Sequence, residues 1–218
     1  MNVHMEYIPS GRGLTIFSGD RFFAQGAAEA LMRDRRLQEV LERRTVSVLH
    51  FPDQLYLLAW SQAPVLPEGL TVIAGSGLII DELSNLFSPG RVGLVDANSP
   101  GESLISTVVN TDIWHVINHR PDIKDIWLTG EEMAFMWAWI SGRMPKGNPK
   151  HNSRLKRQVM YKTGSSNNIG LLVRFRLMFL SKESLLRCRM KVQSSRQNIS
   201  QSTTLPGSAS HYGDWLIE

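Results

Sequence analysis

The sequence predicts an α/β first part followed by a smaller, helical and strongly basic second part. Three observations carry this reading. Short β-branched or apolar runs alternate with helical stretches four times before residue 119. The charge then changes sign: residues 1–142 hold 10 basic and 17 acidic groups, whereas residues 143–191 hold 13 basic groups and a single acidic one, Glu183. Beyond residue 128 the apolar spacing is helical throughout, with cap signals and glycine stops. A chain of 218 residues accommodates one large domain or two small ones.

The first strand is GLTIFSG (13–19), an apolar run bounded by glycines. Phe23, Ala27, Ala30, Leu31, Leu37 and Val40 then recur at helical spacing, which predicts one helix over DRFFAQGAAEALMRDRRLQEVLERR. TVSVLHF (45–51) is β-branched and strand-like, and DQLYLLAWSQA (53–63) is a helix opened by an Asp. LTVIAGSG (70–77) and LIIDELSNLF repeat the pattern, as do RVGLVDA (91–97) and SPGESLISTVVNTDIWHVI. Four such units predict a parallel sheet with helices on both faces.

HRPDIKD (119–125) is a link rich in breakers. LTGEEMAFMWAWISG (128–142) opens with Thr129 and Glu132, a capping-box pair, and closes at Gly142. It is apolar almost all round, which predicts burial on every side. After the loop RMPKGNPKHN comes a basic helix, SRLKRQVMYKT, ended by Gly164. SSNNIGLLVRFRLMFL follows as the last helix, capped by Ser166 or Asn167. From about residue 191 the chain is polar and rich in Ser and Gln, the composition of a disordered tail.

Composition excludes several classes. Hydrophobic residues at 42% and charged ones at 20% describe an ordinary globular chain, not a collagen, a coiled coil or a disordered protein. One cysteine, Cys188, excludes an internal disulfide framework and a Cys-rich zinc site. MNVHMEYIPSGRG lacks a signal-peptide core, and LLVRFRLMFL is interrupted by Arg174 and Arg176. The expectation is a soluble, cytoplasmic protein without a membrane partner.

The excess of cations after residue 143 is the footprint of a protein that meets a polyanion. On a helix that begins near Lys150, Leu155 and Val159 share one face, while Lys150, Ser153, Arg154, Arg157 and Tyr161 gather opposite. An apolar seam backed by a cationic stripe suits a helix docked on DNA; Lys156 and Lys162 complete its basic set. A solvated basic surface is the bland alternative. Other signals are slighter. Gly75-Ser76-Gly77 lacks a third glycine for a dinucleotide loop, since Ile80 stands there. His115 and His119 have metal-ligand spacing without a third ligand nearby in sequence. Ser103 lacks the second glycine of a nucleophile elbow. Cys188 is a lone thiol in a basic stretch.

Residues 128–180 resemble the LuxR/GerE-type helix-turn-helix of bacterial transcription regulators. Leu128-Thr129, Glu132, Phe135-Met136 and Gly142 fall where that family has Leu-Thr, Glu, Val-Leu and Gly. Lys162-Thr163-Gly164 and the following Ser165 to Leu172 are similar to its Lys-Leu-Gly turn and closing helix. The basic helix then corresponds to the recognition helix, with Lys150, Ser153, Arg154, Lys156, Arg157, Tyr161 and Lys162 as the implied DNA contacts. Only 21 residues separate Gly142 from Gly164, and PKGNPK stands where the family has its scaffold helix, Glu-Ile-Ala-x-x-Leu. The first half is similar, more loosely, to the receiver domains that precede such modules. There the acidic pair would fall at Ser18 and Gly19, and Gly75 holds the phosphoacceptor position.

The resemblance implies a receiver-like domain over 1–120, a linker over 121–127, a helix-turn-helix over 128–190 and a tail over 191–218. It implies a transcription regulator that binds promoter DNA without phosphate control, with no catalytic step and no cofactor or metal. Its partners would be DNA and a homodimer or heterodimer mate of LuxR type. The alternative is an auxiliary regulator that binds a full-length LuxR-type protein without touching DNA; an α/β protein for a small ligand or nucleotide is a third class.

Overall fold

The computed structural model describes residues 6–9, 13–84, 86–87, 92–99, 101–110, 126–143, 148–180 and 190–192. His115, His119, Cys188, most of the linker at 121–125 and the tail from 193 onward lie outside the described residues.

A five-stranded sheet carries the order β1 (Glu6–Pro9), β2 (Leu14–Ser18), β3 (Val46–Phe51), β4 (Leu70–Gly75), β5 (Val92–Asp96). β1 pairs antiparallel with β2, and β2 through β5 are parallel. The four parallel strands fall on the four runs that periodicity picks out. β3 and β4 are buried along their whole length, as expected of strands covered on both faces.

Alternation along the strands divides the interior into two cores. Ile16, Val48, Val72 and Val95 face α1 (Arg21–Arg33), α2 (Arg35–Leu41) and α5 (Gly101–Val109) through Leu31, Leu37 and Ile105. Phe51, Ile73 and Leu94 face α3 (Gln54–Trp60) and α4 (Gly77–Leu83) on the other side, through Leu57 and Ile79. The expected single helix over 20–44 is broken at Asp34. Its side chain turns back to accept the Arg36 amide at 2.8 Å, and its ψ of 119° leaves the helical region.

The strand order differs from the one that the receiver resemblance implies. Receivers interleave their strands in the flavodoxin-like order 2-1-3-4-5, which would set residues 14–18 between 46–51 and 70–75. Here β1, a strand with no clear signal in the sequence, hairpins onto β2 and takes that edge, so β3 pairs on the opposite side. The sheet therefore advances in one direction while its crossovers use both faces. The β2-to-β3 crossover has the opposite hand to the two that follow. Nearly all parallel crossovers are right-handed, so this sheet contains an uncommon one.

The remaining elements are β6 (Ile126–Leu128), α6 (Gly130–Ile140), α7 (Pro149–Thr163), α8 (Asn168–Phe175), a π-helical turn (Arg176–Leu180) and β7 (Met190–Val192). β6 and β7 form a parallel pair, so this region is not purely helical. β6 starts inside the stretch expected as linker, and β7 reaches into the expected tail. Met133, Met136, Val159, Leu171 and Phe175 belong to the same core as Phe51 and Ile73. The helices thus pack over α3 and α4, which cover the sheet's second face, with α8 making the contact.

One buried ion pair ties them there. Glu82 of α4 and Arg174 of α8 are 1% and 4% exposed, and Arg174 Nε donates to Glu82 Oε2 at 3.2 Å. The guanidinium also donates to the carbonyls of Thr163 at 2.8 Å and Asp81 at 2.9 Å. Glu82 Oε1 accepts the Ser166 amide at 2.9 Å and also the Ser166 hydroxyl. Gly170 is required beside it, because a Cβ there would fall on the Glu82 carboxylate. Removing one partner of such a pair strands a buried charge, a loss of about 3–5 kcal/mol. Arg174→Met should therefore lower the chemical-denaturation stability by that amount, and a change under about 1 kcal/mol would show the pair to be dispensable.

Candidate nucleic-acid interface

α7 is set by its sequence at both ends. The Asn148 side chain accepts the Lys150 amide at 2.9 Å and Pro149 occupies the first turn. Gly164 closes the helix at φ 69°, a left-handed conformation that suits glycine. Leu155, Val159 and Thr163 are buried beneath it. Arg174, donating to the Thr163 carbonyl, fixes the helix's carboxyl end to the α/β body.

The opposite face holds Lys150, Ser153, Arg154, Arg157 and Tyr161, all exposed, with Tyr161 at 89%. These five lie together, as the 100° helical spacing requires. Among the described residues, Arg157 Nε donates to the Ser153 carbonyl of its own helix at 3.4 Å. The other two residues of the expected set are engaged with the protein. Lys162 Nζ lies 2.7 Å from Glu132 Oε2, a carboxylate 3% exposed. Lys156 Nζ stands 5.4 Å above the Trp139 ring. Lys162 thus belongs to the fold more than to the stripe. Glu132 also closes the capping box of α6, accepting the Thr129 amide at 2.7 Å.

No helix stands between α6 and α7 among the described residues. The consequence is visible on α6, which is not buried on every side as its composition predicts. Ala134 is exposed and Trp137 is 43% exposed. They line a groove of about 470 Å³ with Phe135, Ala138 and Leu155, rimmed by Glu131, Arg143 and His151.

A second polar cluster has no motif in the sequence to announce it. Ser18, the last residue of β2, and His50, the next to last of β3, are register partners, with the Ser18 Oγ 2.8 Å from His50 Nδ1. Ser18 Oγ also accepts the Asp20 amide and donates to the Asp20 carbonyl, both at 2.9 Å. A hydroxyl has one proton, so a bond to that carbonyl requires the Nδ1–H tautomer of His50. Phe23 stacks on the imidazole at 3.6 Å between centroids. Ser18 is fully buried and His50 is 5% exposed, so the pair fastens the start of α1 and offers no open nucleophile. Its signal in the sequence, a Ser and a His near the ends of two strands, appears only once those strands are known to pair.

Gly75, the phosphoacceptor position implied by the receiver resemblance, ends β4 with no room for a side chain: a Cβ there would press on Ile79. Among the described residues there is no cluster of three or more metal-ligating side chains, and no helix is long and apolar enough to cross a membrane. No protein-family profile, curated protein or solved structure matches the chain.

Burial holds the His50 imidazole at about 4, well below the ordinary 6.5. Between those values the unfolded chain binds a proton that the folded chain refuses. Stability is therefore complete above about 6.5 and declines as the pH falls toward about 4, by at most ~1.4 kcal/mol per pH unit. His50→Gln, which keeps a partner for Ser18 and cannot titrate, should flatten this slope in denaturation curves taken between those pH values. An unchanged slope would assign the acid sensitivity to other groups.

Proposed function

We propose that the protein is a DNA-binding transcription regulator that presents α7 to the duplex as its recognition element. The observation that carries this reading is the exposed stripe of Lys150, Arg154 and Arg157, with Ser153 and Tyr161, on a helix whose other face is pinned to the core. Cations on a rigid helix neutralise phosphates and position the side chains that reach bases. α6, α7 and α8 act as a shortened LuxR-type helix-turn-helix in which the α/β body takes over the support of the missing scaffold helix. The receiver likeness of the first half draws support from its four strand-and-helix units over a parallel sheet covered on both faces. The strand order gives it none.

Regulation by phosphate is not part of this reading, because Gly75 and the pair Ser18-Gly19 offer no carboxylates to hold Mg²⁺ beside an acceptor. Incubation with acetyl phosphate should leave the chain unlabelled. Stable labelling abolished by substitution of one Asp would overturn that part.

A second reading rests on the groove between α6 and α7, whose Ala134, Trp137 and Leu155 could seat a helix of a full-length LuxR-type partner. Duplex binding separates the two. Each cation withdrawn from a phosphate should flatten the log–log dependence of affinity on salt by roughly one unit. Arg154→Ala with Arg157→Ala should weaken duplex binding strongly and flatten that slope by about two units, with an unchanged unfolding midpoint. Equal affinity of parent and double mutant at one salt concentration would remove α7 from the DNA and favour the partner-binding reading.

A further inference from the structure

The groove between α6 and α7 has a floor of small side chains. Ala134, Ala138 and Ser141 recur at i, i+4 and i+7 along one side of α6 and its cap, and Leu155 of α7 forms the facing wall. A cavity of about 150 Å³ already accepts a benzene ring, so a groove of about 470 Å³ has room for an indole and an aliphatic neighbour. Arg143 and His151 rim it, and Arg154 and Lys156 lie to either side of the α7 face that lines it. Among the described residues the one carboxylate lining the groove, Glu131, stands 3.8 Å from His151 Nε2. An apolar segment flanked by carboxylates is the occupant that this combination suits.

We infer that the segment Asp214-Trp215-Leu216-Ile217-Glu218 of the same chain docks in this groove. In residues 193–218 the other large apolar side chains, Ile199, Leu205 and Tyr212, are isolated, whereas Trp215, Leu216 and Ile217 are consecutive and bracketed by two acids. The described residues end where such a segment can reach the groove. Val192 is the register partner of Leu128, and Leu128 stands three residues before Glu131 at the groove's edge. Neighbouring strands lie about 4.8 Å apart and successive Cα atoms about 3.8 Å, which sets Val192 within roughly 17 Å of Glu131. The 22 residues from Gln193 to Asp214 span up to about 75 Å, ample for a groove that follows roughly two turns of α6, about 11 Å. A tether of that order holds its end at about millimolar local concentration. The chain's own segment is therefore favoured over that of a second copy in dilute solution. The inference stands apart from DNA binding, and it makes any partner helix a competitor for the groove.

Paramagnetic relaxation in the full chain, without nucleic acid, tests this. On a Cys188→Ser background a nitroxide label is attached at Gly213→Cys, beside the docked segment, or at Thr204→Cys, farther back on the same tether. The label at position 213 should broaden the amide signals of Ala134, Ala138 and Leu155 strongly, and the label at position 204 much less. Trp215→Ser with Leu216→Ser should restore these signals in the chain labelled at position 213. Ala134→Glu, which sets a carboxylate at an exposed position of the groove against Asp214 and Glu218, should restore those of Ala138 and Leu155. A mixture of labelled chain with isotope-enriched, unlabelled chain should show no broadening. No broadening from position 213, or equal broadening from both positions, overturns the proposal. So does broadening that the tail substitutions or Ala134→Glu leave unchanged. Broadening in the mixture also overturns it, by seating the segment in a second copy.

Discussion

The buried contact between Glu82 and Arg174 is the constraint on which the rest of the molecule depends. A guanidinium and a carboxylate taken out of water are costly unless every donor and lone pair finds a partner. Here the partners are backbone groups that the fold would otherwise leave unmet. Arg174 satisfies carbonyls at the ends of α4 and α7, and Glu82 receives the Ser166 amide in the turn that leads to α8. The same pair joins the sheet's helical cover to the basic helix, so α7 inherits its orientation from α4. Hydrophobic packing alone is less directional, and Leu155 or Val159 would tolerate a rotated helix more readily than this network does.

Much of the architecture is legible in the sequence, because the signals are local. Periodicity picks out the runs 13–19, 45–51, 70–77 and 91–97, and the parallel strands at 14–18, 46–51, 70–75 and 92–96 fall within them. Thr129 with Glu132, and Gly164 beyond Lys162, mark helix ends by hydrogen bonds that span four residues or fewer. Strand order is another matter. Which edge of β2 receives β3 depends on whether β1 has folded back onto it, and Glu6–Pro9 carries too little apolar pattern to announce a strand. The break at Asp34 is hidden for a related reason. Helical spacing of the apolar residues continues through Leu37 and Val40, while one side chain preferring its own backbone interrupts the helix.

The candidate interface is half legible. An apolar seam and a cationic stripe follow from the 100° spacing of α7, and the structure places Leu155, Val159, Arg154 and Arg157 accordingly. What spacing cannot reveal is which cation is already spoken for. Lys162 and Lys156 sit at the flanks of the stripe, within reach of α6, and there Glu132 and Trp139 claim them. A charged side chain at the edge of a buried face is decided by its neighbour in space, 30 residues away in the case of Glu132.

The short connection between α6 and α7 also has a physical meaning. A recognition helix needs a rigid mount more than it needs a particular neighbour, since cations that wander lose binding energy to side-chain and backbone ordering. α7 obtains that mount from α6, α8 and β6, with Thr163 held by Arg174 and Lys162 by Glu132. α6 itself is less completely covered. Trp137 and Ala134 remain exposed on a helix whose composition suits full burial. An apolar groove beside a cationic stripe is a combination that neither solubility nor stability requires.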